Sequence, residues 1–591
     1  MSGILLHGGT VIDGTGKAEF SADVLIEDDK IIDVQPFITP PKGTHIIDAT
    51  GKTITPGFIH MHSHADCSVA MCPDMESSLG QGITTEFAGH CGLGVAPVEK
   101  LWLYMFPEKK AFNRVTPDPI GGINPYNIRY VPTDALRQPF FEEYGERLDW
   151  SSYSEYISHL KRTGIGANMA LVVGHGQLRL QAMGTNFRRS ATKQEQEYMR
   201  QALTTAIDAG AMGLSFGLDY QPGLFADHEE LLYLMKLVAG KNGIVTSHIR
   251  SLPNSYYDKE ANVYSGLNEF LELGKQSGAR IHVSHIQNVF TDLPENEKTI
   301  NSGVHRTLKL LDKAVKDGVR VSWDIIPKHA FGPFHYPMAA SLFQPYVEQC
   351  GGCTAFSEKL SIGSYRDEIM SEINSGNHVS RGIFTRINPK TNPQWDTQQR
   401  FTRCKNISIV GKTIHEAANS TDSLAFLLDV LAHDPFASVI SLMRRPDNTP
   451  DRDAFVNRPE ATIALDTWSL NYNTVLNSDS MPLECGSPST YSGMGVFLET
   501  QIKRESKESV IKKLTGNAAK ILGLTDRGII QKGSKADLLL IDFNHFSSAE
   551  NLADPRQGVN GLELVLINGK IAVESGTHTH VRNGKVLSNP K

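Results

Sequence analysis

The stretch that decides the fold is Pro56–His64, which reads Pro-Gly-Phe-Ile-His-Met-His-Ser-His. Its apolar start predicts a β-strand over Gly57–His62. Because alternate residues of a strand point to one face, His60, His62 and His64 share a face where this strand ends. Imidazoles two residues apart can bind one metal ion, and the alternative is a polar strand end with solvated histidines. The stretch therefore indicates a strand that ends in a candidate metal site.

Outward from this strand, strand-like and helix-like stretches alternate along the chain. Two helix-like stretches, Gln194–Ala209 and His228–Ala239, carry apolar residues at spacings of three and four. Eight strands in such an alternation favour an α/β fold, a (β/α)8 TIM-like barrel with its active site at the carboxyl ends of the strands. The predicted strands are Gly57–His62, Thr84–Ala88, Asn168–Val173, Gly213–Phe216, Ile244–Ser247, Ile281–Ser284, Val319–Trp323 and Thr474–Asn477.

Both chain ends read as short strands separated by turns. The first end includes Ile4–Leu6 and Ala22–Ile26, and the last includes Asp537–Asp542 and Leu562–Ile567. Neither end has enough strands for a closed core. We therefore expect a flanking, composite β-sandwich of residues 1–55 plus 527–591 beside a barrel of residues 56–526. Two unrelated β appendages are the alternative.

Two segments are too long for ordinary barrel loops. Glu99–Trp150 separates the second and third predicted strands, and Lys328–Val410 follows the seventh. Connections of this length are uncommon in compact domains unless they fold or carry a function. We expect both to cover the barrel mouth, or the second to form a small inserted domain at about residues 328–410.

The composition is ordinary for a globular protein and argues against several functional classes. The 591 residues are 40% hydrophobic and 21% charged, with a net charge of −7. Because no Lys/Arg-rich block stands out, we expect no nucleic-acid partner. Because no long apolar run is present, we expect neither a signal peptide nor a membrane span. Seven cysteines, an odd and sparse set, favour a reducing compartment, so we expect the cytoplasm.

Further candidate site residues follow other predicted strands. Cys91 follows the second strand, and its thiolate would be a good zinc ligand, although a lone cysteine is usually a small buried apolar residue. His248 and His285 follow the fifth and sixth strands, and each alone is more often structural. Asp479 follows the predicted eighth strand, where a carboxylate can accept a proton from water or can cap a helix. Their recurrence at successive strand ends indicates an active site.

This pattern resembles the amidohydrolase superfamily and, within it, the D-aminoacylase (N-acyl-D-amino-acid deacylase) family. The resemblance rests on the histidines and the aspartate at the ends of the first, fifth, sixth and eighth strands, and on longer stretches that span nearly the whole chain. Those stretches are Gln81–Thr85 through Cys91-Gly92, Gly174–Arg179, Gly210–Leu218 with Tyr220–Gly223, and Asp526–Gly528 with Gly533 and Ala536-Asp537.

The resemblance implies a zinc centre. It assigns one tight Zn2+ to Cys91, His248 and His285, and a neighbouring, weaker metal position to His62, His64 and Asp479. Many superfamily members bridge two metals with a carboxylated lysine after strand four. The fourth predicted strand has no lysine in Ala211–Leu218, which agrees with the cysteine-containing variant.

Several positions depart from the family pattern. His60 stands where the family usually has an acidic residue, His90 where it has asparagine, and Gln287 where it has lysine. The eighth-strand motif reads Asn-Ser-Asp-Ser rather than Gly-Ser-Asp-Gly, and Pro488–Gly493 lacks the usual arginine. These departures concern the expected substrate contacts and leave the expected metal ligands in place.

The resemblance further implies hydrolysis of a linear amide, with N-acyl-D-amino acids giving a carboxylic acid and a free D-amino acid. Asp479 would be the catalytic residue that accepts the proton of the attacking water and passes it to the leaving nitrogen. A substrate carboxylate needs an anchor, for which Arg250 is the first candidate, or else a loop-bracing arginine. His175 and Tyr220 are further candidate pocket residues.

Three alternatives stay open from the sequence. A cyclic amidase of the dihydropyrimidinase or hydantoinase kind and a deaminase would use the same barrel. A non-catalytic metal-binding protein on a decayed enzyme scaffold is of a different class. In each enzymatic case the partner is a small-molecule substrate, and the sequence does not fix the oligomeric state.

Overall fold

A computed structural model of the chain provides the fold. The structure describes residues 3–103, 110–115, 130–250, 263–286, 297–327, 339–375, 394–397, 399–441, 450–474, 487–550 and 555–590. Asp479 and Gln287, which the sequence analysis singled out, lie outside these ranges. Within the described part of the chain, no helix combines the length and the apolar character needed to cross a membrane.

The chain forms a barrel, a terminal sheet and several smaller elements. The strands are β1 (Ile4–Val11), β2 (Phe20–Glu27), β3 (Lys30–Gln35), β4 (His45–Asp48), β5 (Thr53–Pro56), β6 (Phe58–Ser63), β7 (Ile83–Ala88), β8 (Leu101–Leu103), β9 (Tyr130–Pro132), β10 (Asn168–Gly174), β11 (Gly213–Gly217), β12 (Ile244–His248), β13 (Arg280–Val283), β14 (Val321–Ile325), β15 (Gln399–Arg403), β16 (Ser438–Ser441), β17 (Thr462–Ile463), β18 (Leu538–Ile541), β19 (Ser547–Ser548), β20 (Val559–Asn560), β21 (Leu562–Ile567), β22 (Lys570–Glu574), β23 (Thr577–His578) and β24 (Val586–Leu587). The helices are α1 (Ala65–Ser68), α2 (Glu76–Leu79), α3 (Lys110–Val115), α4 (Thr133–Tyr144), α5 (Tyr153–Thr163), α6 (His175–Met183), α7 (Lys193–Asp208), α8 (His228–Gly240), α9 (Val263–Ser277), α10 (Glu297–Lys316), α11 (Gln344–Cys350), α12 (Cys353–Lys359), α13 (Gly363–Ser375), α14 (Ile414–Ala418), α15 (Ser423–His433), α16 (Pro450–Val456), α17 (Pro488–Gln501), α18 (Lys507–Leu514) and α19 (Gly516–Leu522).

Eight parallel strands form the barrel, in the order β6, β7, β10, β11, β12, β13, β14 and β17. The first seven overlap the predicted strands, and α7 and α8 overlap the two predicted helices. Side chains of β6, β7, β10 and β11 are buried along their whole length, as strands covered on both faces require. The prediction of a (β/α)8 barrel is confirmed.

Local sequence signals set the start of the helices that cover the barrel. At α7 the Thr192 hydroxyl accepts from the backbone N–H of Glu195, and the Glu195 carboxylate accepts from the backbone N–H of Thr192. The same reciprocal pair occurs at α5 between Ser152 and Glu155. Each pair satisfies two backbone donors that a helix start otherwise leaves free, so these helices begin where the sequence places a capping box.

The eighth strand lies earlier in the chain than predicted. β17 has two residues and pairs in parallel with β14. The Thr462 hydroxyl donates to the carbonyl of Trp323 at 2.7 Å, and the backbone N–H of Ala464 donates to Ile325 at 3.0 Å. Residues 475–477 of the predicted strand Thr474–Asn477 lie outside the described residues, and the eighth strand of the described barrel is β17. A strand of two residues is too short to show a period of two, whereas Thr-Val-Leu-Asn has the apolar, β-branched character of a strand.

The residues after β17 close the barrel against β6. The backbone N–H of Asp466 donates to the carbonyl of His62 at 3.1 Å, and the backbone N–H of His64 donates to the carbonyl of Thr467 at 2.9 Å. These two bonds bring the first and last strands of the barrel together. They also place the side chain of Asp466 beside His62, at the end of β6, and His64, which follows it.

Both chain ends contribute to one continuous sheet, in the order β23, β22, β21, β18, β5, β1, β2 and β3, with β4 paired to β1. The backbone N–H of Ile31 in β3 donates to Ser534 at 2.8 Å, which brings this edge back toward the segment before β18. The sheet therefore folds over itself around a core that includes Leu6, Val24, Leu540 and Leu566. The composite β layer expected from the two ends is confirmed, as a single folded mixed sheet.

A buried polar network joins the terminal sheet to the barrel. The Asp537 carboxylate pairs with Arg527 and accepts from the Asn168 amide at 3.0 Å and from the backbone N–H of Asn568 at 2.7 Å. Asn168 begins β10 of the barrel, and Asn568 lies in the turn between β21 and β22. Because buried polar groups need partners, this network fixes the sheet to the end of the barrel remote from the site.

Residues between β14 and β17 form a second hydrophobic cluster, which includes Phe343, Phe356, Leu427 and Val439. Helices α11 to α15 and the antiparallel pair β15–β16 surround it. The predicted insertion at about residues 328–410 falls largely on this region. The domain boundaries themselves stay a prediction.

Candidate metal centre and active site

The carboxyl ends of three barrel strands converge on the thiol of Cys91. The Sγ atom of Cys91 lies 3.2 Å from Nε2 of His62, 3.6 Å from Nε2 of His285 and 4.0 Å from Nδ1 of His248. In a tetrahedral zinc site, usual bond lengths put the sulfur and a nitrogen ligand about 3.6 Å apart. These separations therefore fit ligands of a shared metal ion.

Two overlapping groups of possible ligands share Cys91. One group is Cys91 with His248 and His285, and the other is Cys91 with His62, His64 and Asp466. Within each group the ligand atoms lie within 4.8 Å of one another. The structure thus brings together five of the six residues that the sequence analysis assigned to the metal positions, and the sixth, Asp479, lies outside the described residues. The thiolate, imidazole and carboxylate donors are those that zinc prefers.

Asp466 is a candidate functional residue that sequence reasoning missed. Its Oδ1 lies 3.0 Å from Nε2 of His64 and 3.3 Å from Nε2 of His62. The sequence analysis gave this place to Asp479, which lies outside the described residues. The available signal was Ala-Thr-Ile-Ala-Leu-Asp at 461–466, a short apolar run that ends in a carboxylate. The site geometry makes Asp466 a candidate for the role assigned to Asp479, which itself stays a prediction.

Three residues of the cluster have left-handed backbone conformations. The φ angles are 60° at Cys91, 35° at His285 and 54° at Asp466. Such conformations cost on the order of 1–3 kcal/mol for residues other than glycine, and they concentrate at functional sites. Here each one turns the chain sharply at a strand end.

The glycines that flank Cys91 serve close strand packing. Gly92 has a φ of 69°, and a Cβ added there would lie 2.6 Å from the backbone nitrogen of Gly217 in β11. A Cβ at Gly89 would lie 2.2 Å from the carbonyl oxygen of Val172 in β10. These glycines therefore let the Cys91 turn fit between neighbouring strands.

Outer residues orient the candidate ligands. Asp219, just after β11, lies with its Oδ2 3.1 Å from Nε2 of His248, which leaves Nδ1 directed at Cys91. The Tyr220 hydroxyl donates to the carbonyl of Cys91 at 2.7 Å. A carboxylate behind a histidine is a common way to hold a metal ligand in one tautomer and orientation. Tyr220, predicted to line the substrate pocket, is placed to position Cys91.

Asp324 performs a similar task for the sixth strand. Its Oδ1 accepts from the backbone N–H of His285 at 2.6 Å, and its Oδ2 lies 2.8 Å from Nε2 of His282. The same Oδ2 lies 3.6 Å from Nδ1 of His62. The side chain is fully buried, so it fixes histidines of two strands from inside the barrel.

The charges of the cluster act strongly on one another. Burial opposes ionisation of Cys91, but the imidazoles of His62, His248 and His285 hold the pKa of its thiol well below the usual range. Burial likewise opposes ionisation of Asp466, but His62 and His64 hold its pKa well below the usual range. The site therefore favours a thiolate and a carboxylate, which are the metal-binding forms.

His60 and His90 do not join the ligand groups. The Nε2 of His60 accepts from the backbone N–H of Leu465 at 2.8 Å, and its Nδ1 donates to Glu86 at 2.7 Å. His60 thus fixes the segment that carries Asp466. The ring of His90 is fully buried and packs on His62 with centroids 4.1 Å apart.

The predicted substrate contacts Arg250 and His175 are engaged within the protein. Arg250 contacts the Glu269 carboxylate at 3.1 Å and donates to the carbonyls of Leu224 and Ala226. This geometry corresponds to the loop-bracing alternative. His175 is buried, with its Nε2 2.7 Å from the Glu230 carboxylate. Both side chains contact groups of the protein, and their substrate roles stay predictions.

Comparison with known proteins identifies the family of this chain. The sequence profile of the amidohydrolase family matches residues 45–351 and 451–573, and the chain belongs to that family. The protein is therefore an amidohydrolase, a hydrolase of carbon–nitrogen bonds other than peptide bonds. The match omits residues 352–450, which hold most of the second hydrophobic cluster.

Similar proteins align over nearly the whole chain. N-acyl-D-aspartate deacylase of Alcaligenes xylosoxydans xylosoxydans is 24% identical, covering 99% of this chain and 94% of that protein. N-acyl-D-glutamate deacylase of the same organism is 24% identical, with coverage of 99% and 96%. The structure of N-acyl-D-glutamate deacylase from Bordetella bronchiseptica, complexed with zinc and a phosphonate inhibitor, superposes with a TM-score of 0.68 at 22% identity, covering 99% of each chain. This structural likeness shows a shared fold.

Proposed function

We propose that the protein is a zinc-dependent deacylase that hydrolyses the linear amide of N-acyl-D-amino acids. The observation that carries the proposal is the position of Asp466, 3.0 Å from His64 and 3.3 Å from His62, beside the Cys91 thiol. A thiolate, several imidazoles and a nearby carboxylate form a site for amide hydrolysis. The two relatives named for N-acyl-D-amino-acid deacylation support the substrate class.

In this proposal Cys91, His248 and His285 hold the first zinc ion. His62, His64 and Asp466 form a second position that shares the cysteine. Nε2 of His64 lies 3.0 Å from Asp466 Oδ1, and its buried Nδ1 has no hydrogen-bond partner among the described residues. When bound, zinc supplies Lewis acidity that activates water and polarises the amide carbonyl.

The protein's own groups then move the proton. Asp466 accepts the proton of the attacking water on a carboxylate oxygen. It donates that proton to the amide nitrogen, which leaves as an amine because a neutral amine is a far better leaving group than its anion. His60 and the backbone bond to His62 hold Asp466 in reach of both partners. The products are a carboxylic acid and a D-amino acid.

The proposal places the enzyme in the cytoplasm, with small molecules as substrates. The six cysteines in the described residues are free, which suits a reducing compartment.

A panel of substrates tests the proposed reaction. The purified protein, with its zinc content measured, is incubated with racemic N-acetyl derivatives of acidic and apolar amino acids, and the released amino acid is resolved by chiral chromatography. We expect release of the D-enantiomer, its loss on chelation, and its return with added zinc. Release of the L-enantiomer alone would contradict the stereochemistry.

The same panel separates the alternatives. Ring opening of hydantoin or dihydrouracil without cleavage of linear amides would indicate a cyclic amidase. Ammonia release from aminopurines would indicate a deaminase. Bound zinc with no turnover of any substrate would indicate a non-catalytic protein and would refute the proposed function.

A further inference from the structure

A second cluster of possible metal ligands lies away from the active site. It joins Asp74 and Glu76, in the connection after β6, to His580 in the C-terminal segment. The Nδ1 atom of His580 lies 3.7 Å from Asp74 Oδ2 and 3.7 Å from Glu76 Oε1. All three ligand atoms lie within 4.8 Å of one another. Residues some 500 positions apart in the chain thus converge on one point.

The separations suit a metal ion better than direct hydrogen bonds. A nitrogen and an oxygen 3.7 Å apart are beyond hydrogen-bond range. With usual zinc bond lengths, a nitrogen and an oxygen ligand of one tetrahedral ion lie about 3.4 Å apart. The observed edges are therefore close to those of a coordination polyhedron, with room for a cation between the side chains.

Each carboxylate is also held by its other oxygen. Asp74 Oδ1 accepts from Nε of Arg582 at 2.6 Å, and Glu76 Oε2 accepts from the backbone N–H of Tyr472 at 2.8 Å. This leaves Asp74 Oδ2 and Glu76 Oε1 directed at His580. Carboxylate ligands of metals are commonly oriented in this way, with one oxygen on an outer donor and the other on the ion.

The charge balance also favours a cation. The side chains of Asp74 and Glu76 are only 17% and 11% exposed, so two carboxylates share a largely desolvated place. Arg582 contacts Asp74. Two carboxylates thus face one guanidinium, and a cation between them would offset the remaining negative charge.

We propose that Asp74, Glu76 and His580 bind one divalent cation of the zinc type, with water completing its coordination. The ion links the C-terminal segment to the connection between the first two barrel strands. From Glu76, helix α2 leads to Ser78, whose hydroxyl donates to Glu86, the partner of His60. Cation binding therefore stabilises the side of the barrel that supports the active site.

Cobalt titration of the metal-stripped, full-length protein tests this site. Bound cobalt is counted by equilibrium dialysis with elemental analysis, and the thiolate-to-cobalt charge-transfer absorption reports the Cys91 centre separately. We expect His580→Ala to bind one cobalt ion fewer per chain than the parent, with the thiolate absorption unchanged. Its thermal stabilisation by cobalt should also be smaller than that of the parent.

His545→Ala is the matched control, because His545 pairs with Asp542 at the surface and is 79% exposed. Glu76→Gln is the second variant, and it keeps an oxygen that can accept from the backbone N–H of Tyr472. It still tests the site if His580→Ala misfolds. If both His580→Ala and Glu76→Gln bind as much cobalt as His545→Ala, the proposal is wrong. Since the thiolate absorption follows Cys91 alone, this outcome is distinct from a failure of the proposed deacylase function.

Discussion

Replacing Asp466 with Asn separates the chemistry of the site from its assembly. Asparagine has nearly the same shape, so the backbone bond from residue 466 to the His62 carbonyl should persist. The substitution removes the negative charge of the carboxylate. In the parent, Oδ1 of this carboxylate lies 3.0 Å from Nε2 of His64, and His62 and His64 hold its pKa low. The variant therefore keeps a folded barrel but has no proton acceptor at this position.

The expected loss can be estimated from the role. General acid–base catalysis typically contributes about 10²–10⁴-fold in rate, which corresponds to roughly 3–5 kcal/mol of transition-state stabilisation. We expect kcat/KM of Asp466→Asn on the best N-acyl-D-amino acid to fall within that range. Zinc at Cys91, His248 and His285 should remain bound, because those ligands are unchanged. Stopped assays of amino-acid release, with zinc analysis of the same samples, measure both quantities.

Asp479→Asn is the control that the sequence itself provides. If Asp466 is the catalytic carboxylate, Asp479→Asn should keep kcat/KM within a few-fold of the parent. The reasoning is refuted if Asp466→Asn retains near-parental kcat/KM while Asp479→Asn loses it. That result would return the catalytic role to the residue chosen from sequence.

Three further predictions concern the supports of the site. Asp219→Asn should weaken zinc binding about 10–100-fold, measured by competition with a chromophoric chelator, because the carboxylate behind His248 is lost. Burial raises the pKa of Glu230, but the hydrogen bonds and charges of His175 and Arg179 outweigh it and lower that pKa from 4.5 to about 2. The stabilisation from the ionised carboxylate is therefore present above pH 4.5 and is lost as the pH falls toward 2. Glu230→Gln should therefore cost on the order of 3 kcal/mol in the free energy of unfolding at pH 7, and less at low pH, by denaturant titration across pH. Gly92→Ala should lower the free energy of unfolding by about 1–3 kcal/mol or more in the same assay. Residue 92 has a φ of 69°, and an added Cβ would lie too close to the backbone nitrogen of Gly217 in β11.

Each of these predictions has an opposing result. Unchanged zinc affinity in Asp219→Asn would show that His248 needs no carboxylate behind it. A destabilisation by Glu230→Gln that is equally large at pH 7 and pH 2.5 would show that the effect is steric rather than electrostatic. Parental stability of Gly92→Ala would mean that the strand end tolerates a side chain at this turn.

Much of the barrel could be predicted because its strands carry local signals. β10 and β12 are apolar runs bounded by polar or glycine residues, and they begin at Asn168 and Ile244 as expected. The helices α7 and α8 show their apolar spacing in the sequence alone. The eighth strand could not be located in this way, because its two residues are too few to show a pattern in the sequence. They are identified as a strand only by their pairing with β14.

The roles of Arg250 and His175 show a similar limit. Both follow barrel strands, as substrate contacts often do, and both have the right chemistry to bind a carboxylate. Their partners, Glu269 and Glu230, lie 19 and 55 residues away along the chain. Only the packing of helices on the barrel reveals that these side chains contact carboxylates of the protein, and their substrate roles stay predictions.

The sequence by itself determined the strand ends that carry Cys91, His62, His64, His248 and His285, because each follows a strand that hydrophobic periodicity identifies. Only the tertiary structure shows that Asp466 meets them. Asp466 reaches the histidines through backbone bonds between the last and first strands of the barrel, and such closure depends on segments about 400 residues apart. Secondary-structure propensity reflects only neighbouring residues, so it cannot predict a contact between such distant segments. The position of Asp466 in the site is therefore seen only in the folded barrel.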